Sequence, residues 1–92
     1  MNYSEMLDFE INVQVADVTG KHADYCNSWA DAGPIIEQHG ITLAYDSDGS
    51  WVADATAYWV DGIEWQIDGV IHENPLRAAM VAFLMMQEKA NA

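Results

Sequence analysis

The sequence predicts a small α+β fold in which three antiparallel strands are flanked by helices, in the order α-α-β-β-β-α. Three observations carry that prediction. Asn74-Pro75 opens a segment whose apolar residues recur at helical spacing. Asp61-Gly62 separates two runs of strand character. Gly20 and Gly40 close two earlier segments of helical character.

In the first segment, residues 4–20, Leu7, Ile11, Val15 and Val18 fall on one helical face. Its early acids suit the positive end of a helix dipole. Phe9, Ile11, Val13 and Val15 also alternate as a strand would, and the helix is the preferred reading. The second helix starts at Ser28, whose hydroxyl can cap it, with Asp31 three residues on. Pro34 lies too deep for a regular first turn, so the helix either kinks there or restarts at Gly33-Pro34.

The middle of the chain is β. Residues 41–45 form a short strand, 46–50 a turn, 51–60 a longer strand and 63–67 its return. A two-residue turn at Asp61-Gly62 pairs Val60 with Ile63, Tyr58 with Trp65, and Thr56 with Ile67. Trp51, Ala53, Ala55, Ala57 and Trp59 then share the opposite face of the central strand. Both faces of that strand are largely apolar, so either helices cover both, or one is an interface or a binding floor. The last helix is capped by Asn74, takes Pro75 at its first position, and gathers Leu76, Met80, Phe83 and Gln87 on a face widened by Ala79, Leu84 and Met86.

Ninety-two residues are enough for one domain. Half of them are apolar, with four Trp, four Tyr, two Phe and five Met, so the chain can offset the entropy of ordering. The charge is lopsided. Lys21, Arg77 and Lys89 face fifteen acids, for a formal net charge of −12. That repels nucleic acid and anionic membrane surfaces alike, and leaves a solvated acidic surface or attraction to basic partners. A lone cysteine, Cys26, cannot form an intramolecular disulfide, which suits a reducing cytoplasm. No signal peptide or membrane-length apolar run is visible.

Candidate sites are few. Asn74, Pro75, Leu76 and Arg77 open the last helix, where backbone N–H groups, an amide and a guanidinium could hold phosphate or carboxylate. The same residues also read as a capped helix with Arg77 paired to an acid. Asn27, Ser28 and Trp29 precede the second helix and could hold a polar ligand against the indole; they also read as a cap and a packed tryptophan. Cys26 lacks a visible activating partner. His22 and Cys26 have ligand spacing but no second pair, and His39 suits a helix end, so neither a metal nor a cofactor is expected. The 46–50 turn lacks the distal Glu of a calcium loop. Tyr58 and Trp51, Trp59 and Trp65 suit a strand core or a base-stacking floor. No catalytic motif is recognisable.

Three segments carry a resemblance: Tyr3-Ser4 with Asp8-Phe-Glu-Ile-Asn12; Cys26-Asn-Ser-Trp-Ala-Asp-Ala-Gly-Pro-Ile-Ile-Glu-Gln-His-Gly-Ile-Thr-Leu43; and Asn74-Pro-Leu-Arg-Ala-Ala-Met-Val-Ala-Phe-Leu-Met-Met-Gln-Glu88. They resemble the NinX family of lambdoid phages, and the pattern is similar to a wider phage family built as an α-β-α sandwich. The resemblance implies an accessory protein of a temperate phage, working in the cytoplasm of the infected or lysogenic bacterial host. No reaction comes with it.

Two readings follow. In the first, a non-catalytic counter-defence protein sequesters a host nucleotide-type small molecule through Asn27, Ser28, Trp29, Asn74 and Arg77. In the second, an acidic protein-binding inhibitor or nucleic-acid mimic blocks a basic host protein. A homodimer or higher oligomer is expected if helices cover only one face of the sheet.

Overall fold

The structure, a computed structural model, describes the backbone of residues 2–46, 48–60 and 63–90, and the side chains of 2–46, 48–55 and 69–88. A short 3-10 turn, Tyr3–Glu5, precedes α1 (Asp8–Thr19), α2 (Trp29–His39), β1 (Ile41–Tyr45), β2 (Trp51–Val60), β3 (Ile63–His72) and α3 (Pro75–Ala90). The predicted class and element order hold.

Local chemistry sets the helix ends. Glu10 reaches back to accept the Leu7 N–H at 2.9 Å, and α1 stops where Gly20 adopts a left-handed φ of 79°. Ser28 caps α2 by accepting the Asp31 N–H, and Gly40 ends it at φ 63°. Pro34 does not restart α2, which runs through it as one helix from Trp29 to His39. The proline withholds the N–H that Ala30 would have accepted, and Ala30 is exposed, so water can take that carbonyl. Asn74 caps α3 as expected, its Oδ1 accepting the Leu76 and Arg77 N–H groups at 3.0 and 3.3 Å.

The sheet is antiparallel with strand order β1-β2-β3. Val60 pairs with Ile63 and Tyr58 with Trp65, as the hairpin argument requires; the Asp61-Gly62 turn itself lies outside the described residues. Thr56 does not pair with Ile67: Ala55 does. At the far end Ala53 pairs with Val70 and Trp51 with His72, back in the original register. Two opposed irregularities therefore cancel. One is an extra residue in β3 at Gly69, which takes a φ of 63° and donates its N–H to the Asp54 carboxylate at 2.6 Å. β3 also runs on to His72, well past the predicted end at Ile67.

The layering departs from the sandwich that the resemblance implied. α3 packs across all three strands, while α1 and α2 pack on α3. Every residue of α3 from 76 to 84 is buried, Arg77 included. A helix that is apolar all round belongs in a middle layer. Having taken that layer, α3 is itself what α1 and α2 cover, in place of the second sheet face. Ala53 and Ala55 are fully buried on the inner face of β2. On the outer face Ala44, Val52 and Ile71 form one row across the three strands, with Ala44 exposed and Ile71 61% exposed. In α1, Ile11 and Val15 enter the core, but Leu7 and Val18, expected on the same face, are exposed.

Candidate functional site

The N-terminal turn, α1, the 20–28 loop and the start of α3 meet in one polar cluster. Arg77 is at its centre. The guanidinium donates to the Asp8 carboxylate at 2.7 Å and to the carbonyls of Tyr3 and Met6 at 3.0 and 2.6 Å. Its side chain is 9% exposed. Arg77 therefore fastens the N-terminal turn and the first turn of α1 onto the middle helix. Asp8 also sits where a helix start favours negative charge.

Around Arg77 the remaining polar groups are engaged with one another. Asn74 Nδ2 donates to the Cys26 carbonyl at 2.7 Å, tying α3 to the loop before α2. The Cys26 N–H donates to Asn12 Oδ1 at 2.9 Å, and Asn12 and Asn27 both donate to Asp24 Oδ1. The Cys26 thiol is fully buried and points to the Asp8 carbonyl at 3.7 Å. Burial, then the charge of Asp8, pushes its pKa up to about 12, against a lowering by Arg77. A thiol so placed offers little thiolate near neutral pH. Tyr25, buried, braces the same loop through Thr19 Oγ1 at 3.0 Å and a bond to the Lys21 carbonyl.

The five residues expected at a ligand site are thus neighbours in part. Asn27, Ser28 and Asn74 gather around Cys26, but their side chains serve the loop and the two helix caps. Trp29 stands 57% exposed at the start of α2. Arg77 turns its fork away from that loop, toward the N-terminal turn. The Leu76 and Arg77 N–H groups both go to Asn74, and Pro75 has none, so the first turn of α3 presents no free donor to an anion.

A cleft of about 170 Å³ lies on the other side of Arg77, beneath the 3-10 turn. Tyr3, Ser4, Ile71, His72 and Arg77 are among its walls. His72 Nδ1 accepts the Asn74 N–H at 2.9 Å, which leaves Nε2 as the protonated nitrogen of the neutral ring. Tyr3 donates its hydroxyl to Glu88 at 2.6 Å, and burial followed by that bond raises its pKa. Sequence reading missed Tyr3, Asp8 and His72 at this cluster. The one signal for Asp8 was that a single arginine among fifteen acids must find a partner; which acid, 69 residues away, spacing cannot say.

Among the described residues no group of three His, Cys, Asp or Glu side chains could hold a metal ion. No helix among them is long and apolar enough to cross a membrane. Trp51 is half-buried and meets Tyr45 edge-on, ring centroids 5.3 Å apart. The side chains of Tyr58, Trp59 and Trp65 lie outside the described residues.

The family model described as bacteriophage P22, NinX matches residues 22–87. That span takes in the 20–28 loop almost entirely, α2, the sheet and most of α3. No curated protein and no solved structure matches the chain.

Proposed function

We propose that this chain, which belongs to the bacteriophage P22 NinX family, is a non-catalytic accessory protein that binds a basic host protein in the cytoplasm of the infected or lysogenic cell. The observation that carries this reading is the enclosure of Arg77. The only arginine is held by Asp8 and two carbonyls, and the N–H groups at the start of α3 are capped. The groups best suited to grip an anionic small molecule are therefore engaged within the fold.

What the chain offers instead is an acidic exterior bearing large apolar side chains. Leu7, Phe9, Trp29 and Ile71 are each more than half exposed. Acid surrounding exposed apolar residues is complementary to a basic protein surface: charge speeds and orients the encounter, and apolar contact supplies holding energy. The outer sheet face, open along Ala44, Val52 and Ile71, equally leaves room for a second copy or for the partner.

The test is affinity capture from host lysate on immobilised protein, followed by calorimetry with the purified captured protein. A basic partner whose Kd weakens as salt rises from about 0.05 to 0.5 M supports the reading, because screening shortens the reach of surface charge. Retention of no host protein at micromolar concentration rejects it.

A second reading keeps a nucleotide-type small molecule as the target, in a counter-defence role. The cleft beneath the 3-10 turn favours it, since Arg77 and the His72 imidazole both line that space. At about 170 Å³ it admits a fragment of a nucleotide, below the ~300 Å³ usual for ligand pockets. Calorimetry against cyclic dinucleotides and ADP-ribose derivatives checks it, and heat changes with any of them would move the reading back to a sequestering protein.

A further inference from the structure

α1 carries two apolar stripes. The inner one, Ile11 and Val15, is fully buried. The outer one, Phe9 and Val13, is 67% and 38% exposed. Each pair is four residues apart, so each lies along one helical face. The two stripes are offset by two residues, which points them to roughly opposite sides of the helix. This offset is why the segment also alternates like a strand. The alternation records two helical faces, of which the core uses one.

Beside the outer stripe runs a cleft of about 490 Å³, open to solvent and walled by Phe9, Asn12, Val13, His22, Ala23 and Asp24. Its inner wall is fixed, because Asn12 and Asp24 hydrogen-bond at 2.8 Å and Asn12 also holds the Cys26 N–H. Glu10 and Asp17 flank the stripe on the helix, and both are exposed, as is Asp24. Lys21 precedes this wall in the chain but lines a different cleft, with Thr19, Tyr25 and Pro34.

We infer that the Phe9–Val13 ridge and the cleft beside it are the docking face for the host protein, which presents an apolar side chain flanked by lysine or arginine. This rests on the protein-binding reading above and gives it a place. An aromatic anchor next to a groove, inside a charged rim, is the anatomy of a protein interface. The rim selects the occupant. A second copy in a two-fold contact would set the patch holding Glu10, Asp17 and Asp24 against the same acidic patch, between chains of net charge −12. Nucleic acid and anionic lipid meet the same repulsion. A basic protein meets attraction at the rim and burial at the ridge.

Photocrosslinking tests the inference. Benzoylphenylalanine replaces Phe9 in one protein and, as control, Tyr45 in another; Tyr45 is 63% exposed at the end of β1. Both are expressed in host cells, and adducts are identified by mass spectrometry. The protein crosslinked at position 9 is then purified and titrated against wild type, the Phe9→Ser/Val13→Ser double variant and Tyr45→Ser. The expected result is an adduct with a basic protein at position 9 and none at 45, with at least a tenfold loss of affinity in the double variant and no loss in Tyr45→Ser. An unchanged melting temperature in the double variant shows that the loss is not unfolding. If a captured partner crosslinks at 45 and not at 9, or binds the double variant as tightly as wild type, the docking face is elsewhere while the protein-binding reading stands. If wild type binds no host protein in either format, both fall.

Discussion

α3 and α1 are both apolar on more than one side, and they use that surplus in opposite ways. α3 lies between the sheet and the other two helices, and every residue from 76 to 84 is buried. Its apolar circumference is explained by neighbours on all sides, with Ala78, Ala79 and Ala82 letting them approach closely. α1 packs on α3 along one side and is tied to the 20–28 loop through Asn12. Ile11, Val15 and Ala16 form its buried face, while Phe9 is 67% and Val13 38% exposed. Apolar surface that the core does not use is open to contact from outside the fold. The difference between these helices thus separates residues that packing uses from residues that it leaves accessible.

Cutting into the two buried stripes has the largest consequence for stability. Phe83, at 2% exposure, touches the His39 ring at a centroid distance of 4.9 Å. Phe83→Ala is expected to cost about 3–5 kcal/mol, and Ile11→Ala about 2–5 kcal/mol, from lost burial and the cavity left behind. Urea denaturation checks both. A cost below about 1 kcal/mol at Ile11 would mean that the inner stripe of α1 is not core, and the contrast between its faces would disappear.

Arg77 comes next, because it joins the two helices. Arg77→Ala leaves the Tyr3 and Met6 carbonyls and the Asp8 carboxylate without their donor. Breaking a buried pair by removing one partner costs ~3–5 kcal/mol. The Asp8 side chain is 39% exposed, so water relieves part of that penalty. The expected loss is about 3 kcal/mol, the low end of that range, again by urea denaturation. Arg77→Lys keeps the charge but not the fork, and falls between. Full stability in Arg77→Ala would show that the N-terminal turn holds to α3 without its clasp.

A smaller effect depends on pH. Tyr3 and Cys26 both have pKa values raised in the fold, chiefly by burial, from ordinary values of 10.0 and 9.0. Unfolding therefore releases their protons more readily. The stability they contribute is present in full below those ordinary values and is lost as pH rises through the raised ones. The urea midpoint is expected to hold from pH 7 to about 8.5 and then fall, with Tyr3→Phe flattening the upper part of the decline. Below pH 9 the native Cys26 thiol should resist alkylation and react only on unfolding.

What the sequence revealed and what it hid follow from the range of the forces involved. Caps, turns and hairpin register are local: Ser28, Gly40, Asn74 and the Val60–Ile63 pairing were all readable because each is decided within a few residues. The bulge at Gly69 was missed because it depends on Asp54, 15 residues earlier, reaching the Gly69 N–H. The layer order was missed for a similar reason. Apolar residues on both faces of β2 say that cover is wanted, but not that α3 would occupy the middle and leave the outer face open. The candidate site was legible only as a neighbourhood. Asn74 and the Cys26–Ser28 loop do meet, yet Arg77 faces Asp8 through a fold-level contact that no spacing rule encodes.

The outer stripe of α1 is where substitution should cost least. Phe9→Ser and Val13→Ser, singly or together, should change stability by no more than about 0.5 kcal/mol, the usual range for exposed positions away from special features. Phe9 is 67% exposed, so its replacement opens no cavity. Val13, at 38%, keeps part of its side chain against the cleft wall, and the serine forfeits a little burial there while improving solubility. Parallel urea melts of Phe9→Ser/Val13→Ser and Ile11→Ala separate the two faces of one helix under identical conditions. A double variant as unstable as Ile11→Ala would place Phe9 and Val13 among the packing residues, and the docking face would lose its foundation. A double variant as stable as wild type, or slightly more so, leaves an apolar ridge that folding does not require.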